Sequence, residues 1–247
     1  TMPLALIRRL ETFLSLSEEE KRGLRQAFHQ RRAAAVGVDF VREGDPTRSV
    51  TVMIDGLGYR YKQLSNGRRQ IVAYVLPGDL VSSGMLASDV FDHSVHMMQP
   101  SIVASIHHMD LMTLHPNLMR GLWSIVAREL AITQEWVVNV GQRDAQARIA
   151  HLFCELYYRM LEIGQVHDGA FAFPASQQEL ADSSGITNVH ANRTLQNLRR
   201  QGVIAFDGKT LTVANIAALK RIGLFNPAYL HLERSGALRA TPPVAGK

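Results

Sequence analysis

The chain has 247 residues, of which 46% are hydrophobic and 20% charged, and a formal net charge of +5. This balance excludes disorder along the whole length, and at roughly 100–200 residues per domain the length predicts one large domain or two modest ones. No apolar run approaches the roughly 18 residues that span a bilayer, and the single cysteine, Cys154, excludes an internal disulfide, a CxxC zinc site and a four-thiolate iron–sulfur cluster.

The start of the chain places Arg8 and Arg9 after a short apolar stretch, whereas a secretory signal has its charge first. Ile7, Leu10, Phe13 and Leu14 fall at helical spacing, so an amphipathic helix is expected, with helical character to about residue 30. From Val36 to Asp110 the period shortens. Asp45-Pro46, Asp55-Gly56, Asn66-Gly67 and Pro77-Gly78-Asp79 recur about every ten residues, the cadence of an all-β roll. Between them lie SVTVMI, LGYRYKQLS and RRQIVAYVL. Asp55-Gly56 and Asn66-Gly67 predict type I′ hairpins, in which both central residues take positive φ. SIVASIHHM, after Pro100, predicts a further strand with His107 and His108 on opposite faces.

From Pro116 the pattern is helical. Met119, Trp123, Val126, Leu130, Thr133, Val137 and Val140 alternate four and three residues apart, a heptad seam. A second seam runs through Leu122, Ile125, Glu129, Ile132, Trp136 and Asn139. Packing within the subunit explains one stripe. Two stripes predict that the other meets a second copy of the chain; the alternative is a helix buried on two sides within one subunit. Gly141 and Gln142 interrupt the pattern, Asp144 caps AQARIAHLFCELYYRMLEIG, and Gly164 ends it. The domain boundary and a hinge are expected at 139–144. Cys154, on an apolar stretch of this helix, fits a buried structural thiol better than a sensor.

Ser176-Gln-Gln-Glu179 has the form of a capping box and opens the helix QQELADSS. Ser184-Gly185-Ile186 makes a turn, and Thr187 caps NVHANRTLQNLRRQ, which stops at Gly202. VIAF, Asp207-Gly208 and KTLTV predict a two-stranded wing, so the order is that of a winged helix-turn-helix. No Asp or Glu lies between Thr187 and Gly202. Asn188, His190, Asn192, Arg193, Gln196, Asn197, Arg199 and Arg200 are expected outside, and Ile186, Ala191, Leu195 and Leu198 against the core. Asn and Gln pair with adenine edges, and Arg forks onto guanine O6 and N7. A merely solvated face mixes acids with bases, as SEEEKR does near the start of the chain, so this face predicts DNA reading.

This order resembles the Crp/Fnr family of bacterial transcription regulators from about residue 4 to residue 215. The resemblance is carried by NVHANRTLQNLRRQGVI (188–204), DGKTLTV (207–213) and RDAQARIA (143–150), and more loosely by GDLVSSGMLAS (78–88). It implies an α+β fold in four parts. An N-terminal β-roll (a jelly roll of the cyclic-nucleotide-binding kind) with its leading helix covers 1–115, a dimerisation helix and hinge 116–143, a winged helix-turn-helix 144–225, and a C-terminal extension 226–247. It also implies a homodimeric regulator, in the cytoplasm and away from membranes, on palindromic double-stranded DNA with RNA polymerase as partner. Arg193 matches the family's guanine-reading arginine. Val189 stands where the family usually has Glu, and suits a thymine methyl instead. Asn188 and Asn192 flank them as base readers. Ser176, Thr187, His190, Gln196, Arg199 and Lys209 are matched to phosphate, His190 equally well to a role as cap partner.

Gly78, Asp79, Ser82, Ser83, His93 and Ser94 map onto the family's effector pocket. Cyclic-nucleotide binders have Glu where this chain has Ser83, and an Arg-Ser or Arg-Thr pair where it has His93-Ser94. Without the bidentate arginine clamp, weak or absent cyclic AMP binding is expected, and the effector is unidentified. The four cysteines of the oxygen-sensing branch are missing. Haem needs an axial ligand, for which His93, His96, His107, His108 and His115 qualify by residue type; none has the spacing of a metal motif, so no metal and no cofactor are expected. The alternative functions are an effector-binding regulator that acts through protein contacts, or a haem-dependent gas or redox sensor. An enzyme is not expected, because HExxH, a P-loop and GxSxG are all missing. The tail from about Asn226 fits either a flexible appendage or a strap on the dimer.

Overall fold

The computed structural model describes residues 4–81 and 90–233. The chain divides into two compact units, Thr1–Leu130 and Ala131–Lys247. Among the described residues no helix is long and apolar enough to cross a membrane.

The first unit opens with α1 (Leu4–Phe13) and α2 (Glu18–Ala27). The expected helical stretch is broken at Ser17, whose hydroxyl accepts from the Glu20 N–H while the Glu20 carboxylate accepts from the Ser17 N–H. This capping box starts a new helix instead of prolonging the first. Strands follow earlier than Val36: β1 (Gln30–Ala34), β2 (Asp39–Val41), β3 (Ser49–Asp55), β4 (Gly58–Gln63), β5 (Arg69–Val75), β6 (Ser94–Met97) and β7 (Ser101–His107). They pair antiparallel in two sheets, β1-β7-β3 and β2-β6-β4-β5. Met53 and Val103 of one sheet bury against Val75, Val95 and Met97 of the other, as period-two alternation requires of a roll.

The hairpins are not of type I′. Gly56 and Gly67 have φ of 105° and 81°, but Asp55 and Asn66 do not take positive φ. At the second hairpin the Gly67 N–H donates to the Leu64 carbonyl at 2.9 Å, and the Leu64 N–H to the Arg68 carbonyl at 2.8 Å. A longer loop built this way needs one left-handed residue rather than two. β7 also ends sooner than SIVASIHHM implies. The His107 ring caps α3 (His108–Leu111), and the His107 and His108 rings lie 4.5 Å apart instead of on opposite faces, because strand alternation stops where the helix begins.

α4 (Pro116–Gln142) is one helix, and the boundary between the units falls within it. Leu118, Leu122 and Ile125 join Leu6, Ile7 and Leu10 of α1 and Val50, Val52 and Ile106 of the roll in one core. Of the second heptad seam, Leu122, Ile125, Ile132, Trp136 and Asn139 are buried and Glu129 half-buried. Of the first seam, Trp123, Leu130 and Val137 are 53%, 60% and 66% exposed, Thr133 is exposed, and Met119, Val126 and Val140 are half-buried.

The second unit continues with α5 (Ala145–Glu162), capped by Asp144, then β8 (Ala170–Ala172), α6 (Gln177–Ser184), α7 (Asn188–Arg200), β9 (Ile204–Phe206), β10 (Thr210–Val213) and α8 (Ile216–Ile222). The wing has three strands, not two: β8 pairs with β10 on the side opposite β9. After α8 the chain packs back on its own unit. The Phe225 ring stacks on Tyr158 at 5.6 Å, and Leu230 and Leu232 are fully buried. The Tyr229 hydroxyl donates to the buried Glu155 carboxylate at 3.0 Å, beside Trp136 Nε1 at 3.1 Å and Arg159 Nη1 at 3.2 Å. Thus Asn226–Leu232 are a strap on the same domain; the extension from residue 234 lies outside the described residues.

Candidate nucleic-acid interface

α6 and α7 are two short helices held at a fixed turn by local chemistry. Ser176 begins α6 with both bonds of a capping box, its hydroxyl accepting from the Glu179 N–H at 3.1 Å and donating to the Glu179 carboxylate at 2.8 Å. That engagement turns Ser176, matched above to phosphate, toward its own helix. Gly185 ends α6 in the left-handed region at φ 63°, returning its N–H to the Ala181 carbonyl. Thr187 then caps α7, its hydroxyl accepting from the His190 N–H at 3.3 Å.

α7 buries Ala191, Leu195 and Leu198. It also buries Thr194, which is absent from the expected inner face although it lies three residues from Ala191 and four from Leu198, on the same stripe. Ile186 is half-buried. Asn188, Val189, His190, Arg193, Gln196, Arg199 and Arg200 are exposed, Val189 to 65%, and Asn192 is half-buried. Asn197, expected outside, is half-buried and donates from Nδ2 to Gln146 Oε1 at 2.5 Å, because α7 leans on α5 there. Arg199 donates from Nη2 to the Phe206 carbonyl and so ties α7 to β9. Lys209 is exposed at the wing turn. There Asp207 accepts the N–H groups of Lys209 and Thr210, each at 2.8 Å, and these bonds hold its carboxyl below the usual carboxylate range. The exposed side of α7 thus presents amides, guanidinium groups and one apolar tip with no carboxylate among them, which is what base edges and phosphate can meet.

One contributor was not foreseen from the sequence. Arg148, on the first turn of α5, donates to the Arg143 carbonyl at 2.8 Å and to the Ser184 and Gly185 carbonyls at 3.1 and 3.4 Å. Nothing in the spacing of RDAQARIA reveals these acceptors, since two of them come from the end and cap of a helix more than thirty residues away.

In the first unit, the described positions among those matched to an effector pocket are engaged by the protein itself. Gly78 has φ 86°, and a Cβ there would lie 2.8 Å from the carbonyl carbon and oxygen of Ala5. Asp79 is buried, accepting the Leu76 N–H at 2.7 Å and pairing with Arg9 of α1 at 3.2 Å. His93 is buried with Nδ1 on Asp92 at 2.5 Å; burial first, and then the Arg60 charge, hold its imidazole below the usual range. The Ser94 hydroxyl accepts the Glu43 N–H at 3.0 Å. Ser82 and Ser83 lie outside the described residues. Arg60 of β4 was also unforeseen. It is buried, donates to the Val81 carbonyl at 3.2 Å and to the Leu80 carbonyl, and forks onto Glu129 of α4 at 3.0 and 3.3 Å. This pairing explains an acid in an otherwise buried seam. Of the histidines named as ligand candidates, His96 bonds Asp39 at 3.0 Å and stacks on Tyr59, and His115 pairs with Glu20 at 3.0 Å. Among the described residues, no cluster of three or more His, Cys, Asp or Glu is placed to hold a metal ion.

A β-roll, a long helix and a winged helix-turn-helix with an acid-free outer face define a DNA-binding transcription regulator. Residues 147–222 match the family model of the Crp-like helix-turn-helix domain. The chain is 29% identical over 164 residues to the nitrogen fixation regulation protein FixK of Bradyrhizobium diazoefficiens, spanning 66% of this chain and 69% of that one. It is 23% identical over 211 residues to the fumarate and nitrate reduction regulatory protein of Escherichia coli, spanning 84% of each. Its fold is similar to that of FixK2 from Bradyrhizobium japonicum, with a TM-score of 0.70 and 25% identity over 78% of this chain and 96% of that one. A CRP-family regulator from Thermus thermophilus shares the fold at a TM-score of 0.66 and 21% identity, over 82% of this chain and 99% of that one. The chain carries a Crp-like helix-turn-helix DNA-binding domain and is similar, over most of its length, to transcription regulators of the Crp/Fnr family.

Proposed function

We propose that the protein acts as a homodimer that reads a palindromic DNA duplex, placing α7, from its cap Thr187 to Gln201, in the major groove of each half-site. The observation that carries this reading is the exposed, carboxylate-free face of α7. Arg193 forks onto guanine, Asn188 and Asn192 meet adenine edges, and Val189 meets a thymine methyl. Thr187, His190, Gln196 and Lys209 hold phosphate, joined by the remaining donors of Arg199. The exposed seam of Trp123, Leu130, Thr133 and Val137, with Met119, Val126 and Val140 at its edges, supports a second copy along α4. Two copies set the half-site centres about 34–36 Å apart, one helical turn.

The β-roll responds to a signal other than cyclic AMP, without a metal or haem. This is supported by His93 in place of the phosphate-clamping arginine, and by Asp79 and Arg60 being committed to internal partners. RNA polymerase is the partner at the promoter, and the cytoplasm the place of action. The test is selection from a randomised duplex pool followed by gel-shift titration. An inverted repeat is expected, and Arg193→Ala is expected to cost about 1–3 kcal/mol of specific binding and to relax preference at one base pair per half-site. Unchanged discrimination in that variant removes Arg193 from the reading set.

A further inference from the structure

We propose that Arg148 is a positioning residue for DNA reading: it locks the α6–α7 turn to the junction of α4 and α5 and so sets how α7 meets the base edges, without touching DNA itself. The proposal rests on the reading above that α7 enters the major groove.

Three carbonyls converge on this one guanidinium. Nε donates to Arg143, in the connection between α4 and α5, at 2.8 Å. Nη1 donates to Ser184, the last residue of α6, at 3.1 Å, and to Gly185, its left-handed cap, at 3.4 Å. The last carbonyls of a helix have no partner within the helix. A planar guanidinium with donors in a fixed fork joins such carbonyls to another element at a set angle, which an ammonium does not. The main chain of Arg148 is held as well, since its carbonyl accepts from Asn139 Nδ2 on the last turns of α4 at 3.3 Å. Two residues earlier, Gln146 accepts from Asn197 of α7 at 2.5 Å. The first turn of α5 therefore grips the recognition helix twice, at the turn that precedes it and along its flank. Side chains that must meet base edges tolerate errors of only about 0.5 Å, so the residues that fix their helix act on specificity as directly as the readers do.

The experiment uses the full chain and a duplex selected by the wild type from a randomised pool, beside a scrambled duplex, each titrated at several salt concentrations. Arg148→Met keeps most of the stem but none of the donors; Arg148→Lys keeps the charge but not the fork. Arg148→Met is expected to lower the ratio of specific to non-specific affinity by about tenfold. Its salt slope and its affinity for the scrambled duplex stay at wild-type values. Arg148→Lys loses less of the ratio, again at unchanged slope, and keeps the test open should the Met variant melt early. A salt slope shallower by about one phosphate, with discrimination intact, makes Arg148 a phosphate contact and overturns the proposal. Wild-type discrimination in both variants overturns it too. A wild-type protein that selects no sequence overturns the groove reading first and this proposal with it, an outcome distinct from the other two.

Discussion

At Gly78 a single absent carbon lets α1 lie on the β-roll. The residue is left-handed, and any Cβ would press within 2.8 Å of the Ala5 main chain. Gly78→Ala is therefore expected to destabilise the first unit by about 1–3 kcal/mol, read as a lower melting temperature. In the second unit His151 is fully buried, its Nε2 3.1 Å from the Tyr229 hydroxyl. Burial and then the Arg143 charge bring its imidazole down to about 3. A folded-state value below the unfolded one means that the unfolded chain binds the proton more readily. The stability His151 contributes is present above about pH 6.5 and declines as the pH falls toward the folded value, by about 2 kcal/mol at pH 5. Melting curves from about pH 7 to pH 5 are expected to show the wild type losing stability faster than His151→Gln, and parallel curves remove His151 as the cause.

Among the elements, α4 carries two stripes with different fates. Its buried stripe includes Glu129, which pairs with Arg60 at 3.0 Å between side chains 17% and 11% exposed. Glu129→Leu leaves a buried guanidinium without its carboxylate and is expected to cost about 3 kcal/mol, while Arg60→Met added to it recovers much of that loss. Denaturant melts of the two single variants and the double variant measure the coupling. The exposed stripe predicts a different outcome. Leu130→Glu with Val137→Glu is expected to leave each unit folded but to give a monomer by sedimentation. That monomer should bind operator DNA with about half the salt slope of the dimer, since half the phosphate contacts remain.

Over the whole molecule the net charge of +5 is small, so affinity depends on where the cations stand rather than on their sum. If the dimer holds six to ten phosphates through α7 and the wing, its affinity falls by about 10³–10⁵ between 50 and 200 mM salt. Cyclic AMP is expected to leave that affinity unchanged, because a ligand shifts an equilibrium only through differential contacts and, on the proposed reading, His93 stands where a phosphate-clamping arginine is needed. A nucleotide-dependent change in gel-shift midpoint contradicts this.

What the sequence determined by itself was local. Capping residues, turn glycines and apolar periods act within a few residues, so Asp144, Ser176, Thr187 and Gly185 set the helix ends of the DNA-binding unit, and the absence of acids in α7 was visible before any fold. Local signals also erred where two compete. Ser17 divided a stretch that looked continuous, one left-handed glycine served where two positive-φ residues were expected, and β8 joined a wing read as two strands. The tertiary structure decided whatever depends on partners distant in sequence. Asn197 turned inward to Gln146, Arg60 found Glu129 sixty-nine residues away, Arg148 found the α6 carbonyls, and the strap around Tyr229 chose its own domain. Helix and turn propensities are properties of neighbours along the chain. A buried donor is satisfied by whichever acceptor the packing brings within reach, and that is known only once the chain has closed on itself.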